Sequence, residues 1–369
     1  MNGAIIMDSR NMSVGFASLD WSVVDGKYSA NGCTWYRCIL PAQQLNIAGI
    51  KSVFGFLSIT PNGEFAIKRL NNTVVRNNKI IVLKVIMARE VLERIPKAQS
   101  QGQKIVVDMD DLYDELHPNN MAHTSSSKEK NKDNNREIYA EIIKISDALI
   151  CSTPFIRDYF VKKYPSKPIF LVRNAIQDNS FKYLNTVKRK PIIGWLGAIP
   201  WRSMDLSVMQ PFLNAFLIKN NLKFHHAGSL PWAEPAYLEL GIDKNFCNTT
   251  GMVPLFEIQD AHANFDIGVV PLNDIPFNRA KSFIKGVEYA ASGIPFVASA
   301  LPEYEYLASM GVGRVAKSNH DWTSHLDELL DFKTRRDESL KIKKIIDRDF
   351  TMSKTGPEWV SVFKQIHNL

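Results

Sequence analysis

Short runs of β-branched residues alternate with helical stretches along most of this 369-residue sequence, and that alternation constrains the fold more than any other feature. One series of elements lies in residues 80–172 and includes the apolar runs Ile80–Ile86 and Lys104–Val107. A second series runs from Pro191 to Ser299. Because a strand–helix–strand repeat builds parallel sheets with helices on both faces, the sequence predicts an α/β fold with two doubly wound domains.

The polar stretch Gln177–Arg189 separates the two series and predicts an interdomain linker. We therefore expect a Rossmann-like domain at 1–180, a second at 181–355, and a terminal segment at 356–369. The helix expected over Pro357–Ile366 would pack back across the interdomain junction, and the polar segment His123–Arg136 predicts a mobile loop. Since doubly wound sheets bind ligands at the carboxyl ends of their strands, a site is expected in a cleft between the domains.

Composition excludes several classes of protein. With 45% hydrophobic and 22% charged residues, the chain is neither disordered nor fibrous. The four cysteines form no CxxC pair, which indicates reduced thiols in a cytoplasmic protein and no zinc site or disulfide framework. No apolar run approaches the roughly 18 residues of a membrane span, and the first sixteen residues lack the pattern of a secretory signal.

The net charge of +7 is unevenly distributed. Residues 1–180 hold 23 basic and 18 acidic residues, so +5 of the excess lies in the first half. Such a surplus indicates a phosphorylated or polyanionic partner, or serves only to keep the surface solvated.

The segment Phe277–Ser299, FNRAKSFIKGVEYAASGIPFVAS, carries the most chemical information. On one continuous helix, Asn278, Lys281, Lys285 and Glu288 would share a polar stripe about 80° wide. The free N–H groups at the helix start favour phosphate, and the two lysines add charge suited to a diphosphate. Ser282 could donate a hydrogen bond, and Glu288 could accept hydrogen bonds from ribose hydroxyls. The alternative is an ordinary solvated helix face.

This segment resembles the donor-binding signature of GT-B-fold glycosyltransferases, in particular the retaining family 4-like group. The run Glu288 to Val297 matches the second half of that signature, where a Glu precedes Ala-x-Gly-x-Pro-x-Val. Ala280 stands where the family has a first Glu, which usually contacts the donor sugar. The spacing of Asn, Lys-Ser and Lys before the Glu resembles a branch that includes many bacteriophage glycosyltransferases.

The resemblance implies further donor-binding residues. Ile193–Asp205 is similar to the first strand and loop of the family's second domain, where Gly194 and Gly197 would let the backbone approach a ligand and Arg202 would contact the diphosphate. Gly251 and Met252 are similar to a strand end that would face the nucleotide base.

In the first half, Gly32–Leu45 resembles the glycine loop and opening helix of the phage-type enzymes, which would direct Tyr36 and Arg37 towards the cleft on the acceptor side. A capped amphipathic helix is the alternative. Asp110 and Asp111 follow the strand KIVV and would orient the acceptor hydroxyl or the catalytic geometry. Metal binding and helix capping are the other readings of this acidic run. His117 is a candidate to touch the donor sugar.

The sequence thus predicts an enzyme that transfers a sugar from a nucleotide-diphosphate sugar, expected to be a UDP-sugar, to an acceptor hydroxyl with retention and without a metal or other cofactor. Hydroxymethylated pyrimidine in double-stranded DNA is one acceptor, since aromatic and basic residues such as Trp35, Lys68, Arg69 and Arg76 are available. A glycan, a lipid-linked glycan or a protein is the alternative acceptor. A non-catalytic nucleotide-binding protein and an epimerase of the same fold are the competing functions, and the oligomeric state stays open.

Overall fold

The computed structural model describes residues 12–24, 26–183, 190–202 and 204–369. Residues 1–11 of the segment inspected for a secretory signal lie outside the described residues, and so do residues 184–189 of the predicted linker. The chain divides into two compact units. Unit 1 contains the described residues up to Asp110 together with Asn131–Arg173 and Met352–Leu369, and unit 2 contains Asp111–Lys130 and Asn174–Thr351.

Unit 1 is built on an eight-stranded sheet with a separate two-stranded hairpin. The strands are β1 (Ser13–Ser18), β2 (Trp21–Val24), β3 (Lys27–Ala30), β4 (Lys51–Ile59), β5 (Phe65–Lys68), β6 (Val74–Val75), β7 (Ile80–Lys84), β8 (Lys104–Met109), β9 (Ala148–Cys151) and β10 (Ile169–Leu171). The large sheet has the order β10-β9-β8-β7-β1-β4-β5-β6, and β2 pairs with β3. Strands from β10 to β4 pair in parallel, whereas β5 and β6 add antiparallel.

The helices of unit 1 are α1 (Gly32–Thr34), α2 (Leu40–Ile47), α3 (Arg89–Ser100), α5 (Asn135–Ile145), α6 (Pro154–Lys163) and α15 (Met352–His367), and a π-helical turn, Trp35–Ile39, connects α1 to α2. The terminal helix α15 begins at Met352, five residues before the predicted start. It packs against α2, and its Phe363 ring lies 5.6 Å from the Phe16 ring of β1. The last residues of the chain therefore complete the core of unit 1.

Unit 2 is built on a six-stranded parallel sheet. Its strands are β11 (Ile192–Leu196), β12 (Lys223–Ser229), β13 (Cys247–Gly251), β14 (Ile267–Val270), β15 (Phe296–Ser299) and β16 (Arg314–Ala316). Their order, β13-β12-β11-β14-β15-β16, is the 3-2-1-4-5-6 arrangement of a dinucleotide-binding fold. The strand order reverses between β11 and β14, and ligands of such sheets bind at the carboxyl ends of the strands at this point.

The helices of unit 2 are α4 (Met121–Ser125), α7 (Leu213–Asn220), α8 (Ala236–Leu240), α9 (Ile258–His262), α10 (Pro276–Arg279), α11 (Ile284–Ala291), α12 (Pro302–Ser309), α13 (Asn319–Leu330) and α14 (Phe332–Asp349). The single helix expected over Asp205–Lys219 is instead a 3-10 segment, Asp205–Met209, followed by α7. Pro211 lies between the two segments, and proline has no N–H to donate to a helical hydrogen bond. Part of the predicted loop 123–136 is also helical, in α4 and at the start of α5.

Apolar residues fill both units. In unit 2, Trp195, Phe224, Leu213 and Trp322 belong to one buried cluster between the sheet and its helices. A Cβ at Gly194 would lie 2.0 Å from the Phe265 ring, so only glycine fits there. No helix among the described residues combines the length and apolar character needed to cross a bilayer.

Candidate functional site

The signature segment lies at the reversal point of the unit 2 sheet. Helix α11 follows β14 in the chain, and its Lys285 ammonium donates a hydrogen bond to the carbonyl oxygen of Leu196, the last residue of β11. This contact brings α11 to the carboxyl end of β11, the edge at which a ligand of this topology is expected.

The continuous helical stripe predicted from Asn278 to Glu288 is wrong in its first part. Asn278 lies on the short helix α10, whereas Lys285 and Glu288 lie on α11, and residues 280–283 between them are not helical. The Asn278 amide is buried and donates to Asp205 Oδ1 at 2.6 Å and to the Asn273 carbonyl at 3.0 Å. Helical periodicity cannot reveal this tertiary contact, which makes Asn278 an anchor of the loop after β14.

Three cations and two carboxylates interact electrostatically at this edge. Burial, together with the neighbouring charges of Arg202 and Lys281, lowers the pKa of Lys285 to about 7, while Glu288 and Asp205 act in the opposite direction. The Lys285 ammonium also lies 5.7 Å from the centroid of the Trp195 ring. Four predicted donor residues, Arg202, Lys281, Lys285 and Glu288, are therefore brought within electrostatic range of one another.

Arg202 has an unused hydrogen-bond donor. It follows the 3-10 turn Ile199–Trp201 after β11, and its Nε is buried with no hydrogen-bond partner among the described residues. Buried donors in proteins are nearly always paired, so an orphaned guanidinium N–H beside two lysines indicates a place for an anion.

Lys281 and Ser282 already have partners in the ligand-free chain. Lys281 lies 3.3 Å from Asp111 Oδ1 and 4.3 Å from the centroid of the Phe277 ring. The Asn174 amide donates to Ser282 Oγ at 2.8 Å, which leaves the Ser282 hydroxyl hydrogen available to a ligand. Sequence analysis gave Asp111 a role in orienting the acceptor hydroxyl or the catalytic geometry; the structure pairs it with a predicted donor-binding lysine.

The remaining predicted donor residues lie at the ends of neighbouring strands. Gly197 follows β11, and a Cβ on it would lie 2.8 Å from the Trp195 ring; a Cβ on Gly228 would lie 2.7 Å from the Gly197 carbonyl oxygen. Gly251 and Met252 are exposed at the end of β13, with 56% of Met252 accessible. Gly194, expected to approach a ligand, instead packs against Phe265.

The predicted acceptor-side residues of unit 1 are more deeply placed than expected. Tyr36 and Arg37 lie on the π-helical turn, and both are buried rather than open to solvent. Arg37 donates to the Asp108 carboxylate, with 2.8 Å between Nη2 and Oδ2, and to the Val172 carbonyl at 2.7 Å. Its guanidinium also lies 4.6 Å from the centroid of the Trp359 ring. Arg37 therefore positions other groups, and its guanidinium is not open to an acceptor.

Lys84, which sequence analysis did not single out, is the centre of this cluster. It is fully buried at the end of β7, pairs with Asp110, and lies 3.6 Å from Asp108 Oδ1. Burial alone would lower the pKa of Lys84, but Asp110 and Asp108 raise it well above its usual value. A lysine inside the apolar run IIVLKVI was the available signal, because a charge buried in a strand requires a partner.

Asp110 is held ionised by the same contacts. Burial would raise its pKa, but the ammonium of Lys84 and a hydrogen bond from Cys33 lower it. Val85, the residue directly after β7, has φ of 53°, a left-handed conformation that β-branched residues rarely adopt. Such strain is concentrated at functional sites, and this one lies at the carboxyl edge where the strand order of unit 1 reverses between β1 and β7.

His117 and the acidic run show no metal-binding arrangement. The Nδ1 atom of His117 accepts a hydrogen bond from the Asn119 amide at 3.1 Å. Asp108 and Asp110 belong to unit 1 and are paired with cations, whereas Asp111 belongs to unit 2. Within the part of the chain that the structure describes, no three His, Cys, Asp or Glu side chains are grouped as a metal site would require.

Comparison with known proteins gives a structural answer only. No protein-family model matches this sequence, and no curated protein matches it either. Among solved structures, the sucrose-phosphate synthase of Thermosynechococcus elongatus is similar with a TM-score of 0.65 at 13% identity, over 96% of this chain and 99% of that one. A glycosyltransferase from Rickettsia africae gives 0.63 at 11% identity, over 96% and 98%. Anabaena HepE, solved in complex with UDP-glucose, gives 0.61 at 11% identity, over 96% and 100%.

These similarities establish the fold. The chain has the two Rossmann-like domains of the GT-B architecture, as the sequence predicts.

Proposed function

We propose that this protein transfers a sugar from a nucleotide-diphosphate sugar, specifically a UDP-sugar, to an acceptor hydroxyl. The observation that carries the proposal is the group of Arg202, Lys281, Lys285 and Glu288 at the reversal point of the unit 2 sheet. Structural neighbours in complex with UDP-glucose, or with UDP and GlcNAc, support the choice of donor.

The departing diphosphate gains negative charge as the bond between the sugar and its phosphate oxygen breaks. Lys285 has a pKa near 7 in the ligand-free protein, and a diphosphate beside it would restore its full positive charge. Arg202 would supply its unpaired Nε–H, and Lys281 would exchange part of its contact with Asp111 for phosphate oxygens. Glu288 would accept hydrogen bonds from the ribose hydroxyls.

We further propose retention of configuration, with a phosphate oxygen of the leaving group accepting the acceptor's proton. Asp110, Asp111 and His117 would orient the acceptor hydroxyl and the donor sugar, and Tyr36 would line the acceptor side. The clustered cations of unit 2 can stabilise the diphosphate without a metal, so we propose a metal-independent reaction.

All four cysteines are free thiols, which supports a cytoplasmic location.

Donor binding tests the site. Titration of UDP into Lys285→Met and Glu288→Ala should give dissociation constants at least about tenfold higher than that of the wild type, the size expected when one charged hydrogen bond is lost. Lys219→Met is the matched control, because Lys219 is an exposed lysine of the same unit. Wild-type affinity in the Lys285 variant would overturn the assignment. A separate test concerns the proposed independence from metals: addition of a chelator should leave the turnover rate of the wild type unchanged.

The acceptor that we propose is a hydroxymethylated pyrimidine in DNA, supported by the basic surplus of the first half of the chain. Labelled UDP-sugars are incubated with duplex DNA with and without hydroxymethylcytosine, with a glycan and with an unfolded protein. Label in the modified duplex alone supports DNA, whereas label in either other acceptor rejects it. UDP binding with no transfer to any of them would favour a non-catalytic nucleotide-binding protein.

A further inference from the structure

Unit 1 contains a cavity lined by none of the residues to which we assign a role in binding the donor or orienting the acceptor hydroxyl. It has a volume of about 490 Å³ and lies beside the amino-terminal ends of β1 and β4 and the end of β6. Its lining consists of Met12, Ser13, Asn46, Lys51, Ser52, Val53, Arg69, Val75, Arg76, Asn77 and Asn78. Protein sites for small molecules usually have volumes of about 300–1,000 Å³, so the cavity is large enough for one.

The cavity and the Lys84–Asp110 cluster lie at opposite ends of the strands. Strand β1 begins at Ser13, which lines the cavity, and ends at Ser18, which is paired with Lys84 of β7. At about 3.3 Å per residue, these two ends are some 16 Å apart along the strand. Within unit 1, the cavity is therefore separate from Asp110 and its cluster.

The lining of the cavity is strongly cationic. Lys51, Arg69 and Arg76 contribute three positive charges, and no Asp or Glu is among the lining residues. None of the three forms an ion pair or hydrogen bond through its side chain within the described part of the chain. Like charges that share a concave surface repel one another, so a bound polyanion would relieve an unfavourable arrangement.

Most of the neutral polar side chains around the cavity are already engaged with the backbone. Asn46 accepts from the Ser52 amide at 2.9 Å and donates to the Ser52 carbonyl at 3.1 Å, while Ser13 donates to the Asn77 carbonyl at 3.1 Å. The Asn78 amide donates to the Val75 carbonyl at 3.1 Å. These bonds fix the walls, and the charged groups of the lysine and two arginines, together with the Asn77 side-chain amide, are the donors left for a ligand.

We propose that this cavity is a second binding site, for a small molecule that carries at least two phosphate groups. Two guanidinium groups and one ammonium suit phosphate oxygens, because arginine can donate two parallel hydrogen bonds to one phosphate. A concave site of this volume encloses a compact polyanion, whereas a nucleic-acid strand would need an extended basic surface.

Binding of inorganic tripolyphosphate to the full chain, measured by calorimetric titration, tests the proposal. The Lys285→Met background weakens the proposed donor site, so that less of the measured binding comes from there. One tripolyphosphate should bind in this background, and adding Arg69→Gln and Arg76→Gln together should raise the dissociation constant at least about tenfold, as expected for the loss of two charge-assisted contacts. All the substituted arginines are exposed, and unchanged circular dichroism confirms that the variants fold.

The matched control is Lys68→Gln, which removes an exposed cation next to Arg69 that does not line the cavity. Its affinity for tripolyphosphate should equal that of the background protein. Equal binding with and without the two arginines would overturn the proposal. Tighter, arginine-dependent binding of a twelve-nucleotide DNA strand would also overturn it, in favour of a nucleic-acid surface. Neither result depends on whether the chain binds UDP at the other unit.

Discussion

At the level of single residues, the charge state of Lys285 determines how the proposed donor site would bind an anion. Lys285 belongs to an i,i+4 pair that sequence analysis treated as a simple source of positive charge. The structure buries it on α11 beside Arg202 and Lys281, and its pKa falls to about 7 as a result. The ammonium is therefore only partly charged at neutral pH until an anion arrives.

This leads to a prediction about pH. A bound diphosphate raises the pKa of Lys285, so binding takes up a proton whenever the pH is above about 7. The affinity for UDP should therefore weaken as the pH rises from 7 to 9, approaching about tenfold for each pH unit. The phosphate itself is fully ionised in this interval, since its second pKa is about 6. Calorimetric titration at several pH values measures the slope, and Lys285→Met should remove it; the same slope in that variant would contradict the assignment.

At the level of elements, the parallel strands were predictable because they are continuous apolar runs. The expected strands at Ile80, Lys104 and Pro295 are all present with small shifts of their ends. Strands β1, β4, β5 and β6 were not predicted, because they precede the regular alternation and include an antiparallel part.

Part of the predicted grouping is present in the structure, while the role of the group stays a prediction. Arg202, Lys281, Lys285 and Glu288 interact with one another, since a short segment and one loop supply them. Asn278 and Arg37 were misplaced because their partners, Asp205 and Asp108, are about 70 residues distant in sequence, and no local pattern reports such contacts.

The ion cluster that joins β7 to β8 gives a prediction about stability. Lys84→Met would leave Asp110 buried without its ammonium partner, and loss of one member of a buried pair costs about 3–5 kcal/mol of unfolding free energy. Urea denaturation measures the loss. Adding Asp110→Asn should restore part of it, because the unpaired charge is then absent. Lys79→Met, which alters an exposed lysine just before β7, is the control, and equal stability of the two lysine variants would contradict the prediction.

At the level of the whole molecule, the two units differ in how the chain builds them. Unit 2 takes most of its residues from one long stretch, Asn174–Thr351, whereas unit 1 combines three separate segments. The terminal segment contributes Trp359, which is buried against the Arg37 guanidinium and stacks on Phe363 at 6.0 Å between ring centroids. A residue near the end of the chain is therefore part of the core of the unit that begins it.

Truncation of this residue should affect one unit selectively. Trp359→Ala removes a buried aromatic side chain, and such changes cost about 3–5 kcal/mol. Hydrogen–deuterium exchange should show lost protection at amides of unit 1 and unchanged protection in unit 2. Lys364→Ala, at an exposed position of the same helix, should leave both unchanged. Equal loss of protection across the two units would contradict this account.

Because unit 1 combines segments that are far apart in the sequence, its parts are synthesised at different times during translation. Residues up to Asp110 leave the ribosome early, yet the helix that covers their core is made only when Met352–Leu369 are added. Synthesis proceeds at about 5–20 residues per second, so the early part of unit 1 must wait more than ten seconds with an apolar surface uncovered. The unit whose sequence comes first is thus the last of the two to be finished.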